Sequence, residues 1–146
     1  MFFLQVFIGT GFFSGYSPLI PGTAGSLIGL IIMVLLPVNW TIYGIVMCIV
    51  LIAGTWASEG LSRHWGDDPK RVVIDEVTGM IIVLCPFPKT ISIYITGFIL
   101  FRLLDIVKPY PCRMLERIHG GFGIMLDDIM AALYSCILLY GIFMFL

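Results

Sequence analysis

Charge is scarce in this chain and absent from its first 58 residues, where no Asp, Glu, Lys, Arg or His occurs before Glu59. Charged residues make up 12% of the whole and hydrophobic ones 60%, whereas a water-facing domain is about a quarter charged. Together with a mean hydropathy of +1.06, this excludes an ordinary solvated surface, and the chain reads as an integral membrane protein. Basic stretches and acidic tails are also missing and the net charge is −1, so a nucleic-acid partner has no electrostatic footing. Cysteine is sparse: Cys48, Cys85, Cys112 and Cys136 lie far apart with no C-x-x-C, the pattern of free thiols rather than disulfides or metal ligands. The N-terminus has neither the basic segment nor the small-residue cleavage site of a signal peptide, so Met1 onward reads as mature chain.

What is present is a series of apolar runs. A length of 146 residues suits a single domain, residues 1–146, with room for about five spanning helices of roughly 20 residues each. The runs cover residues 2–13, 25–36, 40–58, 72–85, 90–107 and 124–146, with a short amphipathic piece at 112–118 placed along the interface. Between them lie a Gly, Ser and Pro-rich loop, Pro37, a charged stretch over 59–71, Cys85-Pro86-Phe87-Pro88 and Lys108-Pro109-Tyr110-Pro111. The expected fold is all-α: a compact multi-helix membrane bundle with about five hydrophobic helices and a short interfacial helix.

Cations set the orientation. Arg63, Lys70 and Arg71 fall in one connection and Lys108, Arg113 and Arg117 in another, against Lys89 alone at the opposite face, so the two richer connections are assigned to the cytoplasm. Alternation then puts the loop at 14–24 on that side and both chain ends outside. Every polar cluster falls at one face.

Those clusters hold the chemistry. Ile74-Asp75-Glu76-Val77-Thr78-Gly79 opens a helix with two acids, and Gly79 permits a neighbouring helix to approach closely. First-turn acids also complement the helix dipole, so this pair alone decides nothing. Phe101-Arg102-Leu103-Leu104-Asp105-Ile106-Val107-Lys108 forms a polar stripe in which Arg102 and Asp105 can pair, or Arg102 and Lys108 can clamp a phosphate. Asp127-Asp128 opens the last helix after His119-Gly120-Gly121, and Asp127 is the better placed of the two to act as a cap. Gly22-Thr23-Ala24-Gly25-Ser26 is a glycine-bearing loop feeding a helix, where backbone N–H groups and hydroxyls favour an anion; the lysine of a Walker loop is absent.

Five carboxylates at one face repel unless cations intervene, and all-oxygen donors favour Mg²⁺ or Mn²⁺ over zinc. The ensemble reads as metal-assisted phosphoryl chemistry on a lipid reached from the cytoplasmic leaflet. The rival reading is a small transporter or proton pathway, which also uses intramembrane acids but spreads them toward both faces.

Taken together, these segments resemble the phosphatidylglycerophosphatase A family. The matching pieces are Ser14-Gly15 through Pro21-Gly22-Thr23-Ala24-Gly25-Ser26-Leu27, then Asp75-Glu76-x-x-Gly79, Phe101-Arg102-x-x-Asp105-x-x-Lys108-Pro109-x-Pro111, and His119-Gly120-Gly121-x-Gly123-Ile124-Met125-x-Asp127-Asp128, in order over nearly the whole chain. The resemblance implies a Mg²⁺-dependent lipid phosphatase of the bacterial inner membrane that removes the terminal phosphate of phosphatidylglycerophosphate. Carried over residue by residue, Glu76, Asp105 and Asp128 are expected to hold Mg²⁺. Asp75 or Asp127 would orient the attacking water, and Arg102 and Lys108 would offset phosphoryl charge. Gly22, Thr23, Gly25 and Ser26 are expected to cradle the phosphate. An aspartate nucleophile forming an acyl-phosphate is the open alternative. The sequence sets neither the number of ions, nor the head-group selectivity, nor the oligomeric state.

Overall fold

Local chemistry decides where the long helices start. Pro21 occupies the first turn of α2 (Pro21–Leu35), where its missing N–H has no helical acceptor to lose. Asn39 caps α3 (Trp40–Trp65), its Oδ1 accepting from the Thr41 and Ile42 N–H groups at 2.9 and 3.1 Å. In the computed structural model, which describes residues 1–67, 69–115 and 117–144, the remaining elements are α1 (Phe2–Gly9), a 3₁₀ turn (Ser14–Tyr16), α4 (Ile74–Leu84), α5 (Ile91–Val107), α6 (Cys112–Leu115) and α7 (Gly121–Met144). No strand occurs among the described residues, as the all-α reading expected.

Helix α4 is the central post, packed against α2, α3, α5 and α7. All of it is buried except Glu76 and Ile82, which are partly so. Its closest neighbour is α2, whose Gly25 and Gly29, four residues apart, bring backbone against backbone: a Cβ on Gly25 would meet Val73 and one on Gly29 would meet the Val77 carbonyl and Met80. Such small-residue stripes let helices pack by dispersion where water supplies no hydrophobic drive. On another face of α4, Gly79 receives the fully buried ring of Phe101 from α5. Gly79→Ala would push a methyl group into that ring, and we expect about 1–3 kcal/mol of destabilisation in thermal unfolding of the detergent-solubilised protein. Trimming the ring as well, with Phe101→Leu, should restore part of the loss.

The outer surface is as apolar as the interior. Ile31 and Val34 on α2, Ile45, Ile49 and Ile52 on α3, Ile95, Ile99 and Leu103 on α5, and Ile137 and Leu138 on α7 are all exposed. Patches of this extent on every peripheral helix mark a surface that meets something other than water.

Two helices, α3 and α7, are long and apolar enough to cross a membrane among the described residues, rather than about five. The runs are hydrophobic, but proline and turn breaks limit α2 to 15 residues, α4 to 11 and α5 to 17. At 1.5 Å per residue α2 reaches about 22 Å, short of the roughly 30 Å hydrocarbon layer. Other boundaries also moved. Helix α1 stops at Gly9 because the buried Thr10 hydroxyl donates to the Val6 carbonyl at 2.7 Å and accepts from the Phe13 N–H at 3.1 Å, while Gly11, Phe12 and Phe13 turn through positive φ. The charged residues 59–65, expected in a connection, continue α3, with Arg63 paired to Glu59 one turn earlier at 2.8 Å. The expected interfacial helix shortens to α6, with Glu116 outside the described residues, and the expected end of the last helix at residues 145–146 also lies outside them.

The chain alternates direction through the bundle, so the starts of α2, α4 and α7 and the end of α5 meet at one end. At the other end Lys89 donates to the Val34 carbonyl at 2.9 Å and to the Leu36 carbonyl, closing the last turn of α2.

Candidate functional site

The converging helix ends enclose a cleft of about 430 Å³. Asp75 and Glu76 enter from the first turn of α4, Asp127 and Asp128 from the second turn of α7, Arg102 and Asp105 from the last turns of α5, and Lys108 from its C-cap. Lys108 adopts the left-handed conformation with φ +46°, which ends α5 just before Pro109. A lysine there bears a conformational cost of about 1 kcal/mol. Gly22 and Thr23 line the cleft from the first turn of α2, where N–H groups have no intrahelical acceptor.

The glycine-bearing segment is therefore helix rather than loop, and that divides its residues. Gly22 sits so close to Glu76 Oε1 and the Arg102 guanidinium that a Cβ would collide with both. Gly25 faces Val73 and serves packing instead. The Ser26 hydroxyl is buried, donates back to the Gly22 carbonyl at 3.0 Å and receives Arg102 Nη1 at 3.4 Å, so it touches the site only through the arginine. Neither Gly25 nor Ser26 lines the cleft.

Ion pairs sort the charges. Arg102 Nη1 lies 2.7 Å from Asp105 Oδ2 and 3.9 Å from Glu76 Oε1, and Lys108 Nζ lies 2.7 Å from Asp127 Oδ2. Three carboxylates also face one another: oxygens of Asp75, Glu76 and Asp128 lie within 4.8 Å of each other, although Glu76 shares Arg102 with Asp105. Asp75 Oδ1, Glu76 Oε2, Asp128 Oδ2 and Arg102 Nε are buried with no hydrogen-bond partner among the described residues. Buried polar atoms rarely stay unpaired, and buried like charges repel, so the donor set fits a hard divalent cation. Asp105, expected with Glu76 and Asp128, pairs with Arg102 at 2.7 Å and lines the same cleft, while Asp75 is the third carboxylate within 4.8 Å of Glu76 and Asp128. Five carboxylates against the cations Lys70, Arg102 and Lys108 leave the ionised cleft two charges negative. A phosphate dianion enters such a cleft only when a cation offsets that charge.

Two contributors were not foreseen. Lys70 lines the cleft at its rim, although in the sequence it weighed only in the orientation argument. Glu59 Oε2 accepts the Gly121 N–H at 2.8 Å and so anchors the start of α7, the helix bearing Asp127 and Asp128. The signal for it was its place as the first charge after a long neutral run. His119 does not line this cleft: it is exposed, stands 3.6 Å from Asp67, and lines a neighbouring cavity of about 250 Å³ that it shares with Asp127. All four cysteines are free. Burial pushes the Cys112 thiol up from its ordinary range, which leaves it a poor nucleophile.

An ion pathway needs acids strung toward both ends of a bundle, and here all five open onto one cleft. A polar cleft rimmed by the exposed apolar side chains Leu19, Ile20 and Ile106 suits instead a phosphate that arrives on a lipid. The class so defined is the enzymes of lipid phosphate chemistry. Sequence comparison narrows it: the family model described as phosphatidylglycerophosphatase A matches residues 7–143, and the chain belongs to that family. The chain is 38% identical to phosphatidylglycerophosphatase A of Escherichia coli K12, over 92% of this chain and 81% of that protein. It is 36% identical to the Haemophilus influenzae protein of the same name, over 92% and 86%. It is 46% identical to a Bacteroides thetaiotaomicron protein provisionally named phosphatidylinositol-3-phosphatase, over 94% and 92%. No solved structure matches the chain.

Proposed function

We propose that this protein hydrolyses the terminal phosphomonoester of phosphatidylglycerophosphate, releasing phosphatidylglycerol and phosphate, with Mg²⁺ held by Asp75, Glu76 and Asp128. The observation behind the metal is the convergence of those three carboxylates on unpaired buried oxygens, beside a cation-bearing wall and the open N–H groups of α2. The substrate follows from family membership and from the two relatives that bear the enzyme's name.

A divalent cation bound by this triad supplies electrophilic polarisation of the phosphoryl oxygens and a more acidic water. Arg102, held by Asp105, and Lys108, held by Asp127, present fixed positive charge to the phosphoryl group as negative charge builds on it. The Gly22 and Thr23 N–H groups add donors that need no reorganisation. Asp127 accepts the proton of the attacking water. The water oxygen forms the new P–O bond as the bond between phosphorus and the glycerol oxygen breaks, and the proton reaches that oxygen by way of solvent.

The apolar exterior supports a multi-pass position in the bacterial inner membrane, α3 and α7 spanning, α4 shielded by its neighbours, and α2 and α5 presenting apolar faces to lipid. Lys70 and Lys108 at the cleft, with Lys89 at the far end, support a cytoplasmic site by the positive-inside rule.

The test is phosphate release by the purified protein in detergent, from phosphatidylglycerophosphate and from phosphatidylinositol 3-phosphate, with Mg²⁺ and with EDTA. We expect EDTA to remove essentially all release and added Mg²⁺ to restore it, with phosphatidylglycerophosphate the faster substrate. Release that persists through chelation would sink the metal triad. Preference for the inositol lipid would reassign the substrate toward the activity in the Bacteroides relative's name.

A further inference from the structure

The cations of the cleft differ in their engagement. Arg102 and Lys108 are each committed to a carboxylate at 2.7 Å. Lys70 is exposed at the rim and makes no ion pair among the described residues. Its backbone is nonetheless fixed: the Val72 N–H closes a turn onto the Pro69 carbonyl at 2.8 Å, the Val73 N–H bonds the Gly9 carbonyl at 2.9 Å, and Val72, Val73 and Ile74 are buried. A long flexible cation thus projects from a rigid base at the edge of the site, close to the exposed apolar Leu19, Ile20 and Ile106. Arg71, its neighbour, does not line the cleft and lays its guanidinium over the Tyr16 ring, 5.1 Å from the centroid.

We propose that Lys70 is a specificity-determining residue that binds the second phosphate of the substrate, the phosphodiester that joins head group to lipid and remains after hydrolysis. This rests on the functional reading above. A lipid whose terminal phosphate sits among the deep cations, and whose tails run along the apolar exterior, must place its diester at the rim between the two. The diester is a monoanion, and a point-charge ammonium able to follow a mobile head group suits it. Lys70 therefore favours lipids that bear two phosphates separated by a polyol over lipids with a terminal phosphate alone, and it retains the diester product as well as the substrate.

Product inhibition separates the two anion positions. The full chain in mixed micelles would be assayed on phosphatidylglycerophosphate, with phosphatidylglycerol or inorganic phosphate as inhibitor and diacylglycerol, which carries no phosphodiester, as the dilution control. Lys70→Gln should raise both KM and the inhibition constant of phosphatidylglycerol about fivefold to tenfold, leaving kcat and inhibition by inorganic phosphate unchanged. Lys70→Arg should stay near wild type, and Arg71→Gln should change each constant less than about twofold. An equal effect of Arg71→Gln, a fall in kcat at constant KM, or no change in phosphatidylglycerol inhibition would overturn the assignment while leaving the enzyme reading intact. Absence of phosphate release by the wild-type protein would instead overturn that reading, and the role of Lys70 with it.

Discussion

Asp128→Asn is expected to lower Mg²⁺-dependent phosphate release about a thousandfold or more while making the metal-free protein harder to unfold. The two effects have one cause. Asp128 is buried on α7, its Oδ2 has no partner among the described residues, and its carboxylate shares a space under 4.8 Å across with those of Asp75 and Glu76. Without a cation that proximity is repulsive, and neutralising one member relieves it. Apo Asp128→Asn should melt about 2–4 °C above apo wild type. Added Mg²⁺ should raise the wild-type midpoint by mass action and leave the variant nearly unmoved. Asp127→Asn is the informative companion. Its partner is Lys108 rather than the triad, so it should lose turnover yet keep the Mg²⁺-induced rise in midpoint. Thermal melts with and without Mg²⁺, run beside the phosphate assay, decide the matter: an apo Asp128→Asn protein less stable than wild type would show that Asp128 holds the bundle together instead of holding an ion.

The sequence made the acids legible because a hydrophobic chain has so few places to put charge, and each adjacent pair fell at a break in an apolar run. Their meeting at one end followed from alternation alone, and the cleft brings Asp75, Glu76, Asp105, Asp127 and Asp128 together. Which acids converge was not legible. Arg102 stands at i−3 from Asp105 and takes it as a partner across one helical turn, yet Arg102 also reaches Glu76 on another helix, a tertiary contact that spacing cannot show. The same limit applies to the spans. Hydropathy reports that α4 is apolar, but not that it is apolar because four neighbouring helices surround it rather than because lipid does. The missed turn at Thr10 had a readable cue in Thr10-Gly11 interrupting the first run, and its competitor was the strength of the apolar pattern through Phe13. For Gly25, the cue was a second glycine four positions on. Read as a G-x-x-x-G stripe, it points to packing on a neighbouring helix, which is where the structure puts it.

Arg102 is the residue whose loss should damage both fold and function, and the two can be told apart. Its guanidinium is largely buried, pairs with Asp105 at 2.7 Å, lies 3.9 Å from Glu76 and supports Ser26 at 3.4 Å. Arg102→Gln leaves a buried carboxylate without its counter-charge beside an acidic cluster, a change that costs about 3–5 kcal/mol when one partner of a buried pair is removed. Turnover should fall at least about a hundredfold, since a fixed positive charge aimed at the phosphoryl group is lost at the same time. Adding Asp105→Asn removes the orphaned charge, so the double variant should recover most of the lost stability. Activity should not return, because no cation has been restored to that wall of the cleft. Arg102→Lys should fall between, keeping the charge without the planar fork that lets one group face Asp105 and Glu76 together. Denaturation midpoints and phosphate release for the two single variants, the double variant and wild type form a closed cycle: recovery of both quantities in the double variant would assign Arg102 a purely structural role, whereas recovery of stability alone assigns it the phosphoryl group.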